Sequence, residues 1–124
     1  DYRQNIMKAN GVNAADIAMI LKGEVPFDAK NVVAHAEAIH ALSTLVAAAF
    51  PKGSGSGAGK TRAKDEIWTQ WDDFTKLAMA LESESAKLVE VAKTGDMKAI
   101  AAQVGALGKN ACGACHNDFR QAAQ

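Results

Sequence analysis

The chain has few aromatic residues, few prolines and no excess of charge of either sign. Aromatic residues make up only 6% of its 124 residues, whereas apolar residues as a class make up 48%, a share that depends largely on alanine. Alanine has the highest helix propensity and two prolines interrupt few segments, so the composition predicts helices. The 14 basic and 14 acidic residues cancel, which argues against binding to nucleic acid or to an anionic membrane surface.

Long apolar runs are also missing. No run reaches the roughly 18 apolar residues that a membrane-spanning helix needs, so no such segment is predicted. The chain is long enough to bury a core without disulfide bonds. Its length fits one domain, residues 1–124.

Apolar spacing predicts two helices in the N-terminal half. The first covers about Tyr2–Leu21 and ends before the Val25-Pro26 step. The second begins after Asp28, whose carboxylate is suited to cap the open amides of the next turn. It is predicted to continue to Phe50, because Pro51 stops it.

An a/d seam marks the third helix, and a capped stripe marks the fourth. The seam alternates spacings of four and three residues, which is typical of helices that pack at a shallow angle. It consists of Ile67, Trp71, Phe74, Ala78, Leu81, Ser85, Leu88 and Ala92. Asp96 caps the fourth helix, whose stripe of Ile100, Val104, Leu107 and Ala111 continues to the C-terminal region. Four helices joined by two short links and one longer loop predict an all-α fold, an antiparallel up-down-up-down four-helix bundle.

Residues 51–63 form the one long predicted loop, which is rich in glycine. The loop nearly matches the phosphate-binding pattern GxxxxGK[ST], because Gly59-Lys60-Thr61 supplies its second half. Ser54 stands where the first glycine is required, and no strand precedes the loop. The sequence therefore disfavours nucleotide binding and leaves a flexible linker as the other interpretation.

The run Cys112-Gly113-Ala114-Cys115-His116 carries the most specific chemistry of the sequence. Two cysteines at this spacing can each add to one vinyl group of a haem, and the adjacent histidine then faces the iron. We therefore expect one covalent haem c on Cys112 and Cys115, at one end of the bundle, with His116 as the iron ligand.

Other interpretations of this CxxCH run are weaker. Two ordinary cysteines beside a surface histidine would be a coincidence of rare residue types. A thioredoxin-like CxxC needs a preceding strand and a βαβ context, whereas this run ends a predicted helix. A zinc site needs a fourth ligand, and His35 and His40 lie far away along the chain.

Antiparallel topology decides which other residues meet the haem. The end that holds His116 collects residues 2–7, 46–50 and 66–71, with the 51–63 loop beside them. His35, Met19 and Met97 fall at the opposite end, on the order of 20 Å away. Met7 is therefore the candidate second axial ligand. A Met/His pair gives low-spin haem suited to electron transfer, whereas a Met7 that only packs there leaves five-coordinate iron that is open to a small gas.

The chain resembles cytochrome c′, of the class II c-type cytochromes, over nearly its whole length. The resemblance rests on Tyr2-Arg3-Gln4 with Met7, Gly23, Pro26-Phe27-Asp28, Ala49-Phe50-Pro51, Glu66-Ile67-Trp68 and the C-terminal run Cys112-Gly113-Ala114-Cys115-His116-Asn117-Asp118-Phe119-Arg120. A C-terminal CxxCH is distinctive, since the commoner class I cytochromes carry it near the N-terminus.

The resemblance implies roles for further residues. It agrees that the two cysteines form thioether links and that His116 is the proximal ligand. Arg3 and Gln4 match positions that contact the haem propionate edge, and Thr61 is a further candidate there. Arg120 lies one turn after His116, so its side chain can lie beside the imidazole; a solvated arginine near the helix dipole is the alternative.

The resemblance also implies a function. High-spin relatives have a non-coordinating apolar residue at the Met7 position, and low-spin relatives use methionine there as the sixth ligand. We expect the high-spin state, with an apolar distal face that binds NO or CO but gives O2 little hydrogen-bond support. The alternative is a low-spin electron-transfer cytochrome with Met7 on the iron. No enzymatic role is expected, because a haem peroxidase needs a distal His-Arg pair and Arg3 is expected at the propionates.

Location and assembly are further expectations. Haem attachment of this kind takes place outside the cytoplasm in bacteria, and Asp1–Gln4 is already polar helix. We therefore expect a mature periplasmic chain whose signal peptide has been removed. Family members usually pair as homodimers through the first two helices, and the sequence does not name an electron-transfer partner.

Overall fold

The computed structural model describes residues 1–122 and contains six α-helices, which together form a bundle. They are α1 (Tyr2–Leu21), α2 (Ala29–Ser43), α3 (Glu66–Thr69), α4 (Trp71–Lys93), α5 (Met97–Leu107) and α6 (Ala114–Phe119). A π-helical segment, Gly108–Gly113, joins α5 to α6. Helix α1 packs on α2, α2 on α4, and α4 on α5. The predicted all-α four-helix bundle is confirmed; residues 123–124 of the predicted domain lie outside the described part.

Cap residues and glycines determine where the helices begin and end at the end of the bundle opposite the CxxCH run. The Asp28 carboxylate accepts a hydrogen bond from the Lys30 amide at 2.9 Å and so caps α2. The Asp96 carboxylate caps α5 in the same way, through the amides of the two residues that follow Met97. Gly23 and Gly95 follow α1 and α4 with φ near +77° and +72°, a conformation that glycine adopts without strain. Both predicted caps are confirmed.

The core follows the predicted stripes with one exception. Its buried residues include Ile6, Ile17, Ile20, Val32, Ala36, Ile39, Phe74, Ala78, Leu81, Leu88, Ala92, Ile100, Leu107 and Ala111. Trp71, predicted on the buried seam of the third helix, is instead 37% exposed and stacks against Phe74 with ring centroids 5.5 Å apart.

The second predicted helix ends seven residues early. It was expected to reach Phe50, but α2 ends at Ser43 and the chain continues in tight turns that include the 3₁₀ segment Ala47–Ala49. These turns direct the Phe50 ring onto Phe74, with centroids 4.9 Å apart. Tertiary packing of Phe50 therefore overrides the helix propensity of the alanines.

The third and fourth predicted helices are also interrupted. Gln70, with φ −119° and ψ 46°, separates α3 from α4, although the seam predicted one continuous helix. The fourth helix passes through the π-helical segment before it reaches α6. None of the helices within residues 1–122 combines the length and the apolar character that crossing a membrane requires.

Candidate functional site

A cavity of about 390 Å³ opens at the end of the bundle that carries the CxxCH run. Its apolar lining consists of Met7, Val46, Phe50, Ala63, Ile67, Phe74 and Phe119. Cys115 and His116 also line it, as do the polar residues Arg3, Gln4, Lys8, Thr61, Arg62 and Arg120. The volume lies in the range of about 300–1,000 Å³ that is usual for cofactor sites.

Three phenylalanines give the cavity a fixed wall. The Phe74 ring lies edge-on to Phe50 at 4.9 Å and to Phe119 at 5.5 Å between centroids. All three rings are buried. Because such edge-to-face contacts favour one arrangement, the wall is preformed.

The CxxCH run lies where the helix changes type. Cys112 is in the π-helical segment and exposed, and it does not line the cavity, whereas Cys115 and His116 are on α6 and half-buried. A Cβ atom on Gly113 would lie 2.9 Å from the Gly108 carbonyl oxygen. Glycine within the run therefore permits the wide turn, a helix type that recurs at functional sites.

Both thiols are held in the protonated form. Partial desolvation of the thiol raises the pKa of Cys112, although the residue as a whole is exposed. Burial, with the Asp118 carboxylate and the Cys112 thiol nearby, raises the pKa of Cys115 to about 11. A redox-active CxxC depends on a lowered thiol pKa, which is opposite to the direction found for both cysteines.

His116 is held in its neutral form. Burial lowers its pKa first, and the positive charges of Arg120 and Arg62 lower it further. Neutral imidazole is the form that ligates metals. Within residues 1–122, no group of three or more His, Cys, Asp or Glu side chains could hold a metal ion, so His116 does not belong to a metal site built from these residue types.

Arg3 fastens residues 51–63, which we call the strap, over one side of the cavity. Its guanidinium donates to the Ser54 hydroxyl at 3.1 Å, to the Ser54 carbonyl at 2.9 Å and to the Thr61 hydroxyl at 3.1 Å. It also lies 4.6 Å from the Phe50 ring centroid. The strap is therefore folded onto the bundle, and the interpretation as a flexible linker is wrong.

Trp68 on α3 and Asp65, the residue before α3, fix the same strap. The Trp68 indole N–H donates to the carbonyls of Phe50 and Pro51 at 3.2 and 3.1 Å. The Asp65 carboxylate accepts from the amide and hydroxyl of Ser56. The helix break at Gln70 allows α3 to lie against the strap while α4 faces the core.

A short antiparallel contact closes the strap against the C-terminal segment. The Lys64 amide donates to the Phe119 carbonyl at 2.9 Å, and Ala63 and Arg120 form an isolated β-bridge. This contact brings Arg62 and Arg120 to the side of the cavity that holds His116.

The structure brings most of the predicted site residues together. Arg3, Gln4, Met7, Thr61, Cys115, His116 and Arg120 all line the cavity, while Cys112 lies outside the lining. His35 contacts Asn13 and His40 contacts Ser85, and neither histidine lines the cavity. Lys8 and Arg62 were not predicted; the spacing of Lys8 from Gln4 along α1, and the position of Arg62 beside Thr61, are signals that could have found them.

The residues fit a covalently attached haem. The cavity has an apolar lining for a flat macrocycle, an accessible imidazole, and a thiol beside it. Its four charged lining residues are all cations, which suit carboxylate substituents on such a cofactor. A guanidinium has five N–H donors, and Arg3 makes three hydrogen bonds to the strap. Two donors therefore remain for a carboxylate.

Comparison with known proteins agrees with this site. The family model described as Cytochrome C' matches residues 1–120. The cytochrome c′ of Pararhodospirillum photometricum is 35% identical over 121 residues, which cover 98% of this chain and 94% of that protein. The solved cytochrome c′ of Shewanella frigidimarina superposes with a TM-score of 0.88 at 31% identity, covering 97% of this chain and 91% of that one.

A third similar protein is a single-residue variant of the cytochrome c′ of Alcaligenes xylosoxidans. It was solved as a nitric oxide complex and superposes with a TM-score of 0.88 at 30% identity, covering 98% of this chain and 92% of that one. The matches extend over the CxxCH run as well as the helices, and this chain belongs to the cytochrome c′ family.

Proposed function

We propose that this chain is a periplasmic c-type haem protein with five-coordinate iron that binds NO or CO, carries electrons, or does both. The observation that carries the proposal is the CxxCH run at the side of an apolar cavity with a basic rim. A haem bound there supplies an iron that binds diatomic gases and exchanges electrons. The nitric oxide complex of the similar Alcaligenes xylosoxidans protein supports gas binding.

The residues of this chain would act in three ways. Cys112 and Cys115 would hold the haem by thioether bonds, and His116 would hold the iron. Met7 and the aromatic wall would exclude water and offer no hydrogen bond to a bound gas, which disfavours O2 relative to NO or CO. Arg3, Gln4 and Thr61 would bind the propionate edge of the haem. Arg120 would lie beside the imidazole of His116.

Optical spectroscopy tests the coordination state. A five-coordinate protein gives high-spin spectra in both oxidation states, and added CO shifts the spectrum of the reduced form. Low-spin haem with Met7 on the iron is the second candidate, because Met7 is half-buried in the cavity lining. A far-red sulfur-to-iron charge-transfer band in the oxidised protein would establish that candidate and remove the first.

Met7→Ala tests the distal face. Removing the side chain opens space in the cavity, so we expect faster CO association measured by flash photolysis. Met79→Ala is the matched control, because Met79 is 64% exposed on α4 and does not line the cavity. An unchanged CO association rate in Met7→Ala would show that Met7 is not the gate.

The site favours binding over catalysis. Among the described residues, His116 is the single histidine that lines the cavity, so a peroxidase-like pair of distal histidine and arginine does not form there. Turnover of peroxide at enzymatic rates by the haem-loaded protein would contradict this assignment.

The proposal includes a homodimer formed through α1 and α2, in the periplasm. Val12 on α1 is 62% exposed, which a partner surface would cover. Sedimentation should show a dimer, and Val12→Glu should shift it to the monomer, because the charge would be buried in the interface. A monomeric wild-type protein would refute the pairing, and recovery of the haem protein from the cytoplasmic fraction would refute the location.

A further inference from the structure

The rim of the cavity carries an excess of positive charge. Arg3, Lys8, Arg62 and Arg120 line the cavity, and among residues 1–122 no aspartate or glutamate does. The chain as a whole has no net charge, so this is a local concentration of one sign. Such a field attracts anionic partners over distances up to the Debye length.

The four cations are not neutralised within the described part of the protein. The ion pairs found in residues 1–122 are His35–Asp16 and Lys93–Glu90, both away from the cavity. The Arg62 Nε–H donates to the Gln121 carbonyl, which carries no net charge and so leaves the guanidinium charge uncompensated.

Nearby carboxylates do not cancel the excess. Asp65 accepts hydrogen bonds from Ser56 of the strap and keeps its charge, but it lies outside the cavity lining. Asp118 is exposed on α6 and bonds to Asn117. Neither carboxylate lines the cavity, and counting Asp118 would still leave the rim positive after both haem propionates are bound.

We propose that the mouth of this cavity is the docking site for a redox protein that presents carboxylates around its own electron-transfer group. This proposal rests on the proposed function, because the rim surrounds a redox centre only when haem is bound in the cavity. The two propionates of a bound haem would neutralise two of the four cations that line the cavity. The remaining two positive charges would orient an acidic partner toward the cavity mouth.

The test measures oxidation of the reduced, haem-loaded protein by ferricyanide, a small anionic oxidant, in a stopped-flow instrument. From about 10 mM to about 150 mM salt the Debye length falls from about 30 Å to about 8 Å. We expect the ferricyanide rate constant to fall about fivefold over this range. The rate with the cation tris(phenanthroline)cobalt(III) should rise, and association of neutral CO should not change.

Two charge-reversal variants locate the effect. Lys8→Glu removes two units of positive charge from the rim, so the salt dependence with ferricyanide should disappear. Lys98→Glu makes the same change in the first turn of α5, at the opposite end of the bundle, where an acidic residue suits the helix dipole. Lys98→Glu should behave like the wild type; equal effects of both variants would overturn a docking site at the rim.

Competition tests whether a macromolecule binds there. Poly-glutamate should slow the ferricyanide reaction of the wild type and leave Lys8→Glu unaffected. Absence of competition by poly-glutamate would overturn the protein docking site. A preparation without covalent haem absorbance would refute the proposed function, whereas a haem-loaded protein with salt-independent rates would refute only the docking proposal.

Discussion

Replacing Arg3 by methionine should release the strap while leaving the bundle folded. The substitution keeps a long unbranched side chain and removes the guanidinium that holds Ser54 and Thr61. Trp68 and Asp65 still hold the beginning of the strap, so the loss should be local. The expected result is a larger population of the open strap in an otherwise native protein.

The magnitude follows from the contacts of Arg3. A hydrogen bond from a charged group contributes about 1.5–3 kcal/mol, and a cation–π contact at a partly exposed site about 0.5–1 kcal/mol. Arg3 is half-exposed and its three bonds share one group, so their energies do not add. We expect a total loss of about 2 kcal/mol, equivalent to a roughly thirtyfold rise in strap opening.

Limited proteolysis reports that opening. Lys52, Lys60 and Arg62 lie within the strap, so trypsin cleaves there when the strap opens. Cleavage of a locally opened segment follows the population of the open form when closing is fast. Mass spectrometry should show strap cleavage about thirty times faster in haem-loaded Arg3→Met than in the wild type.

Lys30→Met is the matched control. Lys30 is exposed on α2, and its side chain makes no hydrogen bond or ion pair with the described residues. It removes one positive charge, as Arg3→Met does, but should leave strap cleavage unchanged. Equal cleavage rates for Arg3→Met and the wild type would refute the inference that Arg3 holds the strap.

Two further substitutions test individual contacts. The side-chain nitrogen of Asn10 donates to the Ile6 carbonyl, but the buried side-chain oxygen of Asn10 has no hydrogen-bond partner in the described residues. Asn10→Leu removes this unpaired oxygen and should therefore raise the free energy of unfolding by about 1 kcal/mol. A lower free energy of unfolding, measured by urea denaturation, would contradict this. Gly113→Ala places a Cβ atom 2.9 Å from the Gly108 carbonyl oxygen. It should lower the melting temperature by several degrees, for a cost of about 1–2 kcal/mol, whereas Gly105→Ala, whose Cβ meets nothing within 4 Å, should not.

The sequence predicts the fold and most of the site because both depend on local patterns. The seam from Phe74 to Ala92 needs nothing beyond helical periodicity to be recognised. The two cap residues, Asp28 and Asp96, act on amides in the next turn. Antiparallel topology then places Met7 and His116 at the same end without any distance information.

The sequence could not predict the strap or the rim. Arg3 and Ser54 are 51 residues apart, and no short pattern relates an arginine at a helix start to a serine in a glycine-rich loop. The spacing of Lys8 from Gln4 places it on the same face of α1, but that spacing points to a site only once the cavity beside it is known. Contacts between distant segments set both features, and one sequence contains no record of such contacts.

The helix irregularities are concentrated at the end of the bundle that carries the cavity. At the opposite end the helices begin and end at caps and glycines that the sequence reveals. At the cavity end, α2 ends at Ser43 and Gln70 separates α3 from α4. At the same end, α5 continues into the wider π-helical segment Gly108–Gly113. Regular helices would continue the core to this end and fill it with side chains. Because local rules fail where a fold makes room for function, these three failures mark the site independently of the CxxCH run.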